Sequence, residues 1–259
     1  MNMNRREFAG LLLAGGAFPS FAASATQTPE PKSIHTWLDS DKKQIYAYDI
    51  EVKITDFPRN ADRRWLYYFS LQVNFTDFDE WSHGGIQWAG AKEFRENNNK
   101  GINWGGGSEW AGYGGLGRTN TPFTWETGRW YRYRVWRLSK AADGLWRWLF
   151  AVKDVRSGEE KRYGTIRTRS DWIKNAVVFT ETGYGVKCDT ERTRVEWRNP
   201  IIRCTTPGEF TPNRGTANYN GTCGNTLSTD QGIIAGNPPH WFHSTNARRR
   251  ISPDTRLWG

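Results

Sequence analysis

Every second residue is apolar in the run Tyr46, Tyr48, Ile50, Val52, Ile54, while Ala47, Asp49, Glu51, Lys53 and Thr55 fill the alternate positions. Side chains of a strand point alternately to opposite faces, so a period of two predicts a strand with one face turned to a core. Trp65, Tyr67, Phe69, Leu71, Val73 and Phe75 repeat the pattern after a turn at residues 57–60, and the two runs are expected to form an antiparallel pair joined by a loop. Further strands are expected at residues 85–89, 102–104, 129–138, 145–155, 162–167, 176–180 and 193–203, separated by turn clusters such as residues 142–144 and 156–158. No stretch holds a helical period. The pattern therefore predicts an all-β fold, an antiparallel β-sandwich or jelly roll, over residues 26–203.

The ends depart from this pattern. Asn4, Arg5, Arg6, Glu7 and Phe8 form a twin-arginine segment, followed by a short apolar run and a small-residue stretch at Ala23, Ser24 and Ala25. This predicts a cleaved export signal over residues 1–25, read by the folded-protein export machinery through Arg5 and Arg6, and a mature protein in the bacterial periplasm or outside the cell. The apolar run is too short for a stable membrane span. Residues 204–259 are dense in Gly and Pro and poor in apolar runs, and are expected to form an irregular C-terminal extension anchored by Trp241, Phe242 and Trp258.

Charge and composition narrow the partners. The chain carries a net charge of +9, of which the leader's two arginines and one glutamate supply +1. A basic exported protein attracts acidic glycans or envelope phosphates; nucleic acid fits the charge but not the address. Fifteen tryptophans exceed the ten tyrosines, and many cluster between residues 81 and 148 among Gly, Arg and Asn, where indole faces can either pack a core or stack on a sugar ring. Cys188, Cys204 and Cys223 allow one disulfide in an oxidising compartment, with Cys188–Cys204 joining neighbouring strands or Cys204–Cys223 pinning the tail. No cofactor or metal is expected. His240 and His243 lack ligand companions, and Asp77, Asp79 and Glu80 read as an acidic turn in preference to a calcium site.

The most specific pattern runs from His83 to Tyr131: Gly84, Gly85 and Gln87 at a strand end, Ile102 and Trp104 in the next strand, a Gly-rich loop over residues 112–117, then Trp125, Gly128 and Tyr131. In these motifs the chain resembles an uncharacterised family of bacterial exported domains over residues 45–203, with one residue fewer between the Gly pair and the Gln. The resemblance implies a concanavalin-A-like or jelly-roll sandwich with carbohydrate as the ligand class, and no established reaction. The residues alone support a similar reading, since glycines beside indoles let a backbone approach a ligand closely, although the same glycines also serve long turns.

Candidate binding residues are Gln87, Trp88, Asn103, Trp104, Trp110, Arg118, Trp130, Arg132, Arg134 and Trp136. Alternation puts Trp130, Arg132, Arg134 and Trp136 on one face of a strand, where they either hold an anionic chain by stacking and bidentate pairing or pack on one another as a cation–π surface. An enzyme on the same fold needs more. A glycoside hydrolase requires two carboxylates across the scissile bond, for which Glu109, Glu126, Glu181, Glu191 and Glu196 are available. A polysaccharide lyase requires a His or Tyr base with neutralising side chains, a role open to His83, Tyr113, Arg118 and Gln87. The sequence thus predicts an exported carbohydrate-binding sandwich for an acidic polysaccharide, with a lyase or hydrolase, or a non-catalytic envelope interaction protein, as alternatives.

Overall fold

The computed structural model describes residues 32–78, 80–106, 119–183, 185–220, 228–235 and 239–259. The export signal read at residues 1–25 lies outside them, as do Trp110, Tyr113 and Arg118. The described strands are β1 (Lys32–Asp39), β2 (Ile45–Asp56), β3 (Leu66–Phe75), β4 (Trp81–Trp88), β5 (Lys100–Gly106), β6 (Thr119–Pro122), β7 (Trp130–Lys140) and β8 (Trp146–Asp154). They continue with β9 (Glu160–Thr168), β10 (Ile173–Gly183), β11 (Arg194–Cys204), β12 (Arg214–Asn220), β13 (Thr229–Ile233), β14 (His240–Thr245) and β15 (Arg256–Trp258). One 3-10 helix, Lys92–Asn97, interrupts them. None of the described helices is long and apolar enough to cross a membrane.

All pairings are antiparallel and divide the strands into two layers. The first sheet runs β15-β12-β1-β10-β3-β4-β5-β6. The second runs β13-β14-β11-β2-β7-β8-β9. A single register pair, Ile45 with Ile173, joins their backbones. The all-β sandwich expected from the alternation is the fold.

Two organisational expectations are corrected. The runs at 46–54 and 65–75 do not pair: β2 belongs to the second sheet and β3 to the first. Both present their apolar sets, including Ile50, Val52, Phe69 and Leu71, to the one core, so residues 57–65 carry the chain across the sandwich edge and the strands face each other. The C-terminal segment is also not an irregular extension. It supplies β12 and β15 to one sheet and β13 and β14 to the other. Its glycines serve packing: a Cβ on Gly215 would lie 2.2 Å from the Trp258 ring, so that position is a packing requirement within a strand.

The cysteines follow neither pairing considered above, because Cys204 is a free, buried thiol at the end of β11. Cys188 is disulfide-bonded, and Cys223 lies outside the described residues.

The core joins Tyr67, Phe69, Leu71 and Val73 of β3 to Tyr131, Tyr133 and Val135 of β7 and to Trp148, Phe150 and Val152 of β8. One hydrogen-bonded contact fixes the spacing of the layers. Phe69 and Ile86 are register partners in β3 and β4, and the Tyr133 hydroxyl of the opposite sheet sits between them. It accepts the Ile86 N–H at 2.8 Å and donates to the Phe69 carbonyl at 2.8 Å. Gly85 is obligatory beside it, since a Cβ there would lie 2.0 Å from the Phe69 carbonyl oxygen. Gly84 leaves room for Trp104 and Phe150, whose rings stack with centroids 5.0 Å apart.

Tyr133→Phe keeps the ring and strands two buried backbone groups, so urea unfolding is expected to show a loss of about 2 kcal/mol or more. Trp104→Ala removes a fully buried indole and is expected to cost roughly 3–5 kcal/mol in the same measurement.

Candidate functional site

The outer face of the first sheet carries the residues that chemistry can use. Alternation in β3 sends Tyr67, Phe69, Leu71 and Val73 into the main core, and so sends Tyr68, Ser70, Gln72 and Asn74 to the opposite face of the sheet, where all but Asn74 are nevertheless buried. The registers then assemble rows across the strands. Glu181 of β10 faces Tyr68 of β3, which faces Gln87 of β4. One row along, His35 of β1, Phe179, Ser70, Gly85 and Asn103 are aligned; one further, Trp37, Val177, Gln72 and His83.

Glu181 and Gln87 therefore stand two strand spacings apart, about 10 Å between Cα atoms, with Tyr68 between them. The Tyr68 ring leans away from that gap. Its hydroxyl donates to Asn103 Oδ1 at 3.2 Å, and Asn103 Nδ2 donates to Asn120 Oδ1 at 2.9 Å. Its ring meets Phe179 and His83 edge-on, each with centroids 5.5 Å apart. Glu181 is half-buried, and Gln87 is 4% exposed. Among the described residues no hydrogen bond uses the Gln87 side-chain amide, while its backbone carbonyl accepts from Trp125 Nε1 at 3.0 Å. The strand is thus held from behind and the amide is left to act in front.

The neighbouring polar groups form an amide chain. Gln72 Nε2 donates to Asn74 Oδ1, and Asn74 Nδ2 to Asn175 Oδ1, both at 2.7 Å. Gln72 Oε1 and His35 Nε2 are buried without a hydrogen-bond partner. Burial lowers the His35 imidazole to a pKa of about 4, so it is neutral at ordinary pH.

Behind this face, between the sheets, His243 closes a second network. Thr36 Oγ1 donates to Gln231 Oε1 at 2.7 Å and therefore accepts from His243 Nε2 at 2.8 Å, which leaves His243 Nδ1 to accept from Thr180 Oγ1 at 3.1 Å. The ring is a neutral, Nε2-protonated spacer bonded to Thr180, the residue before Glu181, and burial holds its pKa well below the usual histidine range.

The expected binding residues separate into three places. Gln87, Asn103 and His83 share the outer face just described. Trp88 is half-buried at the sandwich edge, bonded through Nε1 to the Asp62 carbonyl at 3.1 Å, and Trp104 is 0% exposed in the core, where it cannot stack on a ligand. Trp130, Arg132, Arg134 and Trp136 lie on the outer face of the other sheet. There Glu51 binds Arg132 and Arg198 at 2.6 and 2.7 Å, while Asp49 holds Arg134 and Arg203 and Glu160 takes the far side of Arg134. Arg198 covers the Trp130 ring at 3.8 Å, and Arg134 lies 5.4 Å from that of Trp136. The guanidinium groups expected to grip an anionic chain are engaged by the protein's own carboxylates, which is the cation–π surface alternative. Burial opposes ionisation of Glu51, but hydrogen bonds from Arg132 and Arg198 override it and hold its pKa below the usual carboxylate value.

Other candidates resolve locally. Glu80 is buried and accepts the Arg169 and Ser170 N–H groups. His240 and His243, three apart on one strand, point to opposite faces, His240 to Glu196 at 3.2 Å, so they cannot share a metal. Among the described residues no group of three or more His, Cys, Asp and Glu side chains is placed to hold a metal ion. Two cavities of about 320 Å³ lie beside Asp39 and Arg214 and beside Phe123 and Arg129; neither includes Glu181 or Gln87.

Sequence reasoning named Gln87 and His83 and counted Glu181 among five available glutamates, but missed Tyr68, Gln72 and His35. The alternate set in β3 was the available signal, because it is polar at Ser70, Gln72 and Asn74 where a two-sided core would be apolar.

No family model matches the sequence, and no curated protein matches it. Solved structures do match in fold. The chain is similar to scytalido-glutamic peptidase with a peptide-based transition state analog, at TM-score 0.50 and 9% identity over 85% of this chain and 100% of that one. The same values over 85% and 99% hold for that peptidase with a transition state analog inhibitor. SCP-B, a member of the Eqolisin family of peptidases in complex with a tripeptide, matches at TM-score 0.48 and 8% identity, over 85% of this chain and 100% of that one. At such identities the likeness is one of fold, the β-sandwich.

Because the folded state holds His35 neutral while the unfolded chain protonates it near 6.5, its contribution to stability is whole above that pH and lost as pH falls toward 4. Unfolding midpoints measured from pH 7 to 4 are expected to decline by the equivalent of about 3 kcal/mol from this residue, and His35→Gln should flatten that part of the curve.

Proposed function

We propose that this chain is a hydrolase of peptide bonds whose reacting groups are Glu181 and Gln87. The observation that carries the reading is their common row: a half-exposed carboxylate and an unengaged amide face one gap, on a sandwich similar in fold to a peptidase named for glutamic acid. The Glu181 carboxylate takes a proton from a water molecule as the water oxygen bonds to the scissile carbonyl carbon. The Gln87 amide N–H donates to the carbonyl oxygen as it gains negative charge. The C–N bond then breaks, and the proton on Glu181 passes to the departing amine, so the carboxylate is regenerated. Tyr68, fixed by Asn103, keeps the floor between the two groups rigid.

A neutral carbohydrate is the second reading, favoured by the amides of this face. The acidic polysaccharide form of that reading is not carried forward, since Arg132 and Arg134 are paired. Export by the twin-arginine route remains part of the proposal, as Arg5 and Arg6 followed by an apolar run support it.

Incubating the protein with denatured polypeptides across acidic to neutral pH, with new termini read by mass spectrometry, is expected to reveal cleavage. Glu181→Gln should lower the rate by about 10²–10⁴-fold, and Gln87→Ala by about 10²–10³-fold, with unchanged unfolding midpoints. Cleavage that survives Glu181→Gln, or glycan hydrolysis in place of proteolysis, overturns the assignment. Arg5→Lys with Arg6→Lys is expected to leave the precursor in the cytoplasm of a bacterial host, as cell fractionation would read.

A further inference from the structure

Two polar side chains of the second sheet reach across the core to the strands that carry Glu181 and Gln87. Behind the Glu181–Tyr68–Gln87 row, the adjacent inner-face row aligns Thr180 of β10, Phe69 of β3 and Ile86 of β4. Thr180 and Ile86 each immediately precede one of the two reacting residues. The Tyr133 hydroxyl bonds the Phe69 carbonyl and the Ile86 N–H at one end of this inner row. At the other end, His243 Nδ1 accepts from the Thr180 hydroxyl while Nε2 donates to Thr36 of β1. The Trp197 ring lies between the two, its centroid 6.2 Å from that of Tyr133 and 5.8 Å from that of His243. All three side chains are fully buried. The second sheet thus touches the reacting row at both ends, with an indole setting the separation of the contacts.

The proton order at the Glu181 end is fixed. Gln231 Nε2 donates to the His35 and Asn218 carbonyls, at 3.1 and 3.0 Å, so Gln231 Oε1 can only accept and Thr36 must donate to it. The Thr36 hydroxyl then has only lone pairs to offer His243 Nε2, which leaves Nδ1 as the acceptor for Thr180. A protonated ring would turn an N–H toward Thr180 in place of a lone pair and would put a charge in the core. The groups around it offer that charge no partner. Tyr219 of β12 lies beside Gln231 with Arg249 over its ring, and the Asp230 carboxylate of β13 is bound to Arg250. His35 of β1, Glu181 of β10, Arg194 and Glu196 of β11 and His240 of β14 alternate with core positions and lie on the outer faces of their sheets. Burying an uncompensated charge is costly, and burial accordingly holds the His243 imidazole well below the usual histidine range. Burial pushes the Tyr133 phenol the other way, well above its ordinary value, so of the two contacts only the one at Thr180 titrates in acid.

Resting on the peptidase reading above, we infer that His243 is a positioning residue for Glu181: through the Thr180 hydroxyl it fixes the carboxylate relative to Gln87, and it does so only while its imidazole is neutral. Two protonations therefore limit activity in acid. One falls on the Glu181 carboxylate and removes the base; the other falls on His243 and loosens the strand that carries it.

Thr180→Val removes the hydroxyl and keeps the shape of the side chain, whereas Thr180→Ser keeps the hydroxyl. With the full protein and a peptide that it cleaves, Thr180→Val is expected to lower kcat by about tenfold or more with KM little changed, and Thr180→Ser to restore most of the rate. Log kcat of the unaltered protein should fall in acid with a limiting slope of about two, and that of His243→Gln, whose amide offers a donor and an acceptor but takes no proton, with a slope of about one. Equal kcat in the unaltered protein and Thr180→Val, or the same acid slope in the unaltered protein and His243→Gln, overturns the inference while leaving the peptidase reading intact. If no peptide is cleaved, the peptidase reading fails, and amide hydrogen exchange over residues 179–182 decides whether His243 holds the strand. Faster exchange in Thr180→Val than in Thr180→Ser, and on acidification of the unaltered protein but not of His243→Gln, supports that role; exchange that follows neither change overturns it.

Discussion

The hydroxyl of Tyr133 is the contact on which the geometry of the candidate site depends. It enters the β3–β4 ladder from the opposite sheet and satisfies a donor on one strand and an acceptor on the other. Hydrogen bonds between sheets are directional where apolar packing is not, so this one sets both the distance between the layers and the position of β4 along β3. A slip of one residue there would turn Gln87 inward and Ile86 outward. Gly85 and Gly84, on either side of the crowding, yield the space that lets the strands close around the hydroxyl and the Trp104–Phe150 stack. The floor under Glu181 and Gln87 is consequently part of the core's own architecture, not a loop laid over it.

The two outer faces show opposite ways of keeping polar groups in a sandwich. On the second sheet, Glu51 is 1% exposed and shared between two arginines; removing one partner of such a group leaves a buried charge and is far costlier than the pair is worth. On that face the guanidinium groups are engaged by the protein's own carboxylates. On the first sheet the polar groups are amides and hydroxyls, which accept burial at lower cost and leave Gln72 Oε1 and His35 Nε2 with bonding capacity unused. The paired arginines and carboxylates and the chain of amides thus lie on different surfaces of the sandwich.

Alternation made the fold class legible, because an inward apolar set recurs in β2, β3 and β7 whatever their partners. It could not say which strands pair. Tyr48 and Tyr67 have the same local signature whether their strands are neighbours in one sheet or face each other across the core, and only the nine-residue crossing at 57–65 distinguishes the cases. The C-terminal strands were hidden for another reason: β12 and β13 are short and contain glycine where Trp258 and Phe242 lean on them, so composition imitates a loop. In the site, Gln87 stood out through its Gly neighbours. Arg132 and Arg134 misled because a strand's own sequence shows an arginine without showing Glu51 and Asp49, eighty residues earlier, that occupy it.

The pairing of β1 with β12 also sets the order in which the molecule can come into being. Ser33 lies beside Asn220 and Arg194 beside Ser244, so the free edge of each sheet is covered only after residues 214–245 are available. Contacts of such sequence separation make for slow folding, and until they form β1 and β11 present unpaired backbone to any other chain nearby. Time, more than energy, is the exposed quantity in this fold: a nascent chain carries the β1 edge until β12 is made and the β11 edge from its own completion until β14 is made, and its fate is decided by how soon those C-terminal strands arrive to cover them.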